Sequence, residues 1–115
     1  MTKHVLPAMV AMLAMATSAL AHSQVEDMRP ADGGILQTVE AIELRFDAPM
    51  RITAITLTGP DGDMAVTRET GLDPVTAFRA LPPDAMPAGA YRVDWRGLAA
   101  DGHPMQGTFG FTLTD

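Results

Sequence analysis

From Ala41 onward, hydrophobic side chains alternate with polar ones in short stretches broken by glycine and proline. That two-residue period belongs to strands with one buried face. In residues 41–47 (AIELRFD), Ile42, Leu44 and Phe46 share one side, and Glu43, Arg45 and Asp47 the other. Residues 51–58 (RITAITLT) are rich in β-branched side chains and stop at the turn Gly59-Pro60-Asp61-Gly62. A short run over 64–68 follows, then a break at 71–74 and an extended pattern over 75–81. Pro82, Pro83, Pro87 and Gly89 mark a long turn. After it Tyr91, Val93 and Trp95 alternate with Arg92, Asp94 and Arg96, and Phe109, Phe111 and Leu113 face inward from a last strand over 108–114. The period of a helix is absent. The pattern predicts a single all-β sandwich of about seven strands. Tyr91, at a strand start after a Pro/Gly turn, suits either a tyrosine corner or an ordinary half-buried position.

The first twenty-one residues differ from the rest. Lys3 and His4 precede an apolar run from Val5 to Leu20, and Ala19-Leu20-Ala21 supplies a small-x-small junction. This is the pattern of an export signal cleaved after Ala21, leaving residues 22–115 as the mature domain with no membrane insertion. The mature part has seven arginines against fourteen acids, a net charge of −7. Such a balance disfavours nucleic acid and anionic lipid and favours cations. With no cysteine in the chain, neither disulfides nor thiolate ligands are available.

Two places carry candidate chemistry. Cleavage after Ala21 makes His22 the N-terminus, where its α-amine and imidazole can close a chelate ring on one metal. Far along the chain, Asp101-Gly102-His103-Pro104 lies in a stretch from Gly97 to Gly107, long for a hairpin connection. Residues i and i+2 of an extended segment face the same side, so Asp101 and His103 can meet one ion. His22 and His103 are the mature domain's two histidines, one in each place. Three nitrogens and a carboxylate oxygen suit tetragonal Cu(II), whereas Zn(II) would bind the same set more weakly. The methionines are scattered, which argues against a Cu(I) site: Met28, Met50, Met64 and Met86 suit packing or surface positions, and Met105, two residues beyond His103, suits a core position more than one near the site. The bland alternative is an incidental terminal histidine and a solvated loop histidine. No Ser-His-Asp set, phosphate loop or carboxylate pair suggests an enzyme.

Residues 22–113 resemble the CopC-type periplasmic copper-resistance proteins. The resemblance rests on Ala-Leu-Ala before His22, on Arg29-Pro30-Ala31-Asp32-Gly33, on AIELRFDAPM, and above all on AGAYRVDWRGLAADGHPMQGTFGFTL at 88–113. It implies an immunoglobulin-like Greek-key β-sandwich that is no enzyme and binds one Cu(II) through His22, Asp101 and His103. It also implies a periplasmic role in copper resistance or homeostasis, by sequestration or by delivery to a CopD-like inner-membrane partner. The chain departs from the family pattern in two respects. It lacks the methionine cluster that holds Cu(I) in some members, and it has Asp47-Ala48-Pro49 where many members carry a glutamate, so that the acid holding the N-terminal histidine or amine is either missing here or supplied by Asp47. A small copper oxygenase with an N-terminal histidine brace, or a metal-free immunoglobulin-like interaction module, are the competing readings.

Overall fold

The computed structural model describes residues 25–115, which form eight strands and no helix. They are β1 (Val25–Arg29), β2 (Gly34–Leu36), β3 (Ile42–Gly59), β4 (Gly62–Met64), β5 (Thr67–Arg68), β6 (Val75–Leu81), β7 (Gly89–Ala99) and β8 (Pro104–Leu113). One layer runs β1, the first half of β3, β6, β5. The other runs β4, the second half of β3, β7, β8, β2. All neighbours are antiparallel except β2 and β8, which pair in parallel through Gly34↔Phe111 and Leu36↔Leu113. The sandwich expected from the alternation is therefore present, with β3 serving both layers.

The two stretches read as separate strands, 41–47 and 51–58, are one strand of 18 residues. Its pairing with β6 lapses between Arg45 and Met50, where Pro49 has no N–H to give a ladder. A second irregularity, between Ile52 and Ala54, shifts the side-chain phase: Ile42, Leu44, Phe46, Met50 and Ile52 point inward on even numbers, and Leu57 on an odd one. A bulge inserts one residue and so exchanges the two faces beyond it.

The core joins the layers where Phe46 meets Trp95 edge-on at 5.4 Å between centroids, and within one layer Tyr91 stacks on its cross-strand partner Phe111 at 5.3 Å. Met50 is fully buried, and Met28, Met64, Met86 and Met105 are partly buried against the core, so that packing rather than surface placement describes them. The outward acids Glu43 and Asp94 are both partnered. Arg79 bridges Glu43 and Glu69, and Asp94 accepts from Thr108 Oγ1 at 2.6 Å and from Arg92 at 2.9 Å. The Thr108 hydroxyl, more than Arg92, holds the Asp94 carboxyl below its usual range.

Tyr91 forms the corner. Its hydroxyl donates to the Pro87 carbonyl, four residues back, across the turn that Gly89 makes with φ 141°. Burial, and secondarily the Asp61 carboxylate, push the phenol up, so it stays protonated as a donor. Tyr91→Phe keeps the ring stack and strands that carbonyl. The expected cost is about 0.5–1.5 kcal/mol, read as a fall in thermal midpoint of about 4–8 °C per kcal/mol. An unchanged midpoint would show that the corner contributes nothing.

Candidate metal centre

The hairpin between β7 and β8 is short, contrary to the long loop expected over 97–107. Register pairs continue to Leu98↔Pro104, leaving residues 100–103 as the connection. The inward positions here are small for a steric reason. A Cβ on Gly97 would stand 2.7 Å from the Arg51 carbonyl oxygen and 3.1 Å from Met50 Sδ, and one on Gly107 2.6 Å from Trp95 Nε1. Large side chains from neighbouring strands lie over both glycines, so the alternation continues while its hydrophobic signal vanishes.

Two backbone bonds close the turn, Ala99 N–H to the His103 carbonyl (2.9 Å) and Gly102 N–H to the Ala99 carbonyl (2.8 Å). Gly102 sits at φ 90°, which a side chain would disfavour. Within this frame Asp101 clamps His103 twice. Oδ1 accepts from the His103 backbone N–H at 3.0 Å, and Oδ2 lies 2.8 Å from His103 Nδ1. The two residues therefore do share one side, but through a glycine turn and an Asx-type bond rather than an extended segment. Both side chains are more than half exposed.

That 2.8 Å separation is compatible with metal in two ways. A proton on Nδ1 donated to Oδ2 fixes the tautomer and presents Nε2, as carboxylates do for ligating histidines. Alternatively, bonds of about 2.0 Å at a right angle place cis donors about 2.8 Å apart, so Nδ1 and Oδ2 could flank one tetragonal ion.

His22 lies outside the described residues. Val25, three residues on, pairs with Phe46 at the start of β1 and lines a depression shared with Met28, Trp95, Met105 and Phe109. Met105 is two residues beyond His103. Asp47 is exposed on β3, directly after Val25's partner Phe46. Among the described residues, no group of three or more His, Asp or Glu side chains gathers in a metal-holding arrangement. Asp101 and His103 thus provide two donors that need others to complete a site. No helix among the described residues is long and apolar enough to cross a membrane.

A β-sandwich whose last hairpin presents Asp-Gly-His matches a known domain. Residues 25–114 fit the family model of the CopC domain, and the chain belongs to the CopC family. It is 30% identical over 112 residues to Copper resistance protein C of Escherichia coli, covering 88% of each chain. Among solved structures it is similar to PcoC, a methionine-rich copper resistance protein from Escherichia coli, at 29% identity and TM-score 0.66, covering 82% of this chain and all of that one. CopC from Methylosinus trichosporium OB3b shares the fold at TM-score 0.68 and 23% identity, over 80% of this chain and 93% of that one.

Proposed function

We propose that this chain is a periplasmic Cu(II)-binding protein of copper resistance or homeostasis, exported with cleavage after Ala21. It holds one Cu(II) through the His22 amine and imidazole, Asp101 and His103. It sequesters the ion or passes it to an inner-membrane partner of CopD type, and catalyses no reaction. The observation that carries this reading is the double clamp of Asp101 on His103, an exposed, hydrogen-bonded pair of copper-compatible donors in a chain of the CopC family. The position of Val25 adds support. Three residues span at most about 11 Å, and Val25 already shares a depression with Met105, next to the hairpin.

The chemistry follows from the donor set. Nitrogen donors bind metal only through a lone pair that no proton occupies, so protons compete with the metal and binding weakens on acidification. Copper titration of the protein matured at His22 tests the reading, followed by paramagnetic resonance and a competing chelator. One Cu(II) per chain with a tetragonal, nitrogen-coupled spectrum is expected. His103→Ala should weaken binding by on the order of a hundredfold and Asp101→Ala by about tenfold, the range seen when ligand or supporting groups are lost. Unchanged affinity in both variants would sink the reading. Sustained oxygen consumption with ascorbate would instead favour an oxygenase.

A further inference from the structure

The outer face of the β3–β7–β8 layer, beside the candidate metal hairpin, has an apolar and cationic surface. Cross-strand register aligns Arg51, Leu98 and Pro104 in one row, all exposed, while Met50, Ile52, Gly97 and Ala99 point the other way into the core. Pro104 directly follows His103. The next row contains Arg96 opposite Gln106, and a shallow depression lies between the rows, lined by Thr53, Arg96, Leu98, Pro104 and Gln106.

Three large hydrophobic residues are exposed among those described, and two of them border Arg51. Leu98 is 37% exposed, and Leu72, whose carbonyl accepts from Arg51 at 2.7 Å, is 59% exposed. Leu72 rides on a fastened loop. Arg68 donates to the carbonyls of Thr70 (3.1 Å), Gly71 (2.9 Å) and Ile52 (2.6 Å) while lying over the Phe78 ring. An exposed leucine on a rigid backbone loses little conformational freedom when a partner covers it.

Arg29, Arg79 and Arg92 each pair with a carboxylate. Arg51 and Arg96, like Arg45 and Arg68 elsewhere, have no carboxylate partner among the described residues, although the chain carries net charge −6, and these two share this one face. Asp73, next to Leu72, pairs with neither. Two uncompensated guanidiniums beside two exposed leucines complement an acidic surface with an apolar centre.

Building on the copper-resistance reading, we propose that Leu72, Leu98, Pro104, Arg51 and Arg96 form the docking face for a protein partner. That partner presents carboxylates around an apolar side chain and meets this chain next to Asp101 and His103, where copper would change hands. Docking there places the partner's own ligands beside the metal hairpin without contact to the core.

The test uses the full chain in its own host, comparing a deletion strain complemented by wild type, by Leu72→Ser/Leu98→Ser and by Arg51→Glu/Arg96→Glu. Both variants are expected to export, to keep their thermal midpoint within a few degrees and to bind Cu(II) within twofold of wild type. Both should nonetheless lose most of the copper tolerance that wild type restores. Ile35→Ser, at the third exposed hydrophobic residue, on β2, should restore it fully. Suppressors of the charge-reversed protein, selected on copper, are expected as Asp or Glu to Lys changes in a second exported or membrane protein. Full tolerance with either folded variant overturns the docking face while leaving copper binding intact. A deletion strain as tolerant as its parent overturns the copper-resistance reading, and the docking face with it.

Discussion

Protein carrying one extra residue ahead of His22 will fold as the matured chain does, yet bind Cu(II) on the order of a hundredfold more weakly, about 2.7 kcal/mol. The His22 imidazole alone offers one bond. Amine and imidazole of the same residue form a chelate ring whose second bond orders no further group, so blocking the amine removes more than one donor's share. Fold stability without metal should be unaffected, because the core begins with β1 residues packed beyond this point. The stabilisation that copper confers, set by the ratio of free metal to Kd, should collapse with the affinity. Calorimetric titration and thermal denaturation of the two forms, with and without Cu(II), give both numbers. Equal affinity would remove the amine from the ligand set and require other donors to complete the site begun by Asp101 and His103.

The largest effect on stability is expected at Trp95. It is nearly buried, meets Phe46 of the opposite layer and lies against Gly107 of β8. Trp95→Ala should cost about 3–5 kcal/mol, a fall of at least about 12 °C at some 4–8 °C per kcal/mol for a domain of this size. Gly107→Ala forces a methyl into the indole, 2.6 Å from Nε1, and should cost about 1–3 kcal/mol. In the Trp95→Ala background that methyl enters vacated space, so the two costs should fall short of their sum by at least about 1 kcal/mol. Strict additivity would mean that the two sites do not touch in solution.

The sequence showed the strands where large side chains alternate and missed them where they do not. Residues 75–81 coincide with β6, and Ile42, Leu44 and Phe46 are core residues as their spacing indicated. β1 and β2 escaped notice for local reasons. In β1 a register shift between Val25 and Asp27 breaks the alternation, and in the three residues of β2 Ile35 points outward. The extent of the β7–β8 hairpin was hidden by Gly97 and Gly107, whose smallness answers to Met50 and Trp95 on other strands. At the candidate site, the proximity of Asp101 and His103 was legible from their spacing. The clamp depends on a glycine turn at φ 90° and on which carboxylate oxygen faces which nitrogen, details that spacing does not specify. The platform around Arg51 left no trace in the pattern, since it is assembled from β3, β7, β8 and the loop before β6.

A strand shared by both layers also governs how the domain comes apart. Separating the layers of an ordinary sandwich breaks side-chain contacts and leaves each sheet's ladder whole. Here the backbone of β3 passes from one ladder to the other, so neither layer can peel away without unzipping β3 from β1 and β6 or from β4 and β7. Partial opening is thereby tied to loss of the whole fold, and the amides of β3 become the slowest to exchange with solvent. For a small domain without disulfides, that coupling denies a protease the half-open form it would otherwise cut.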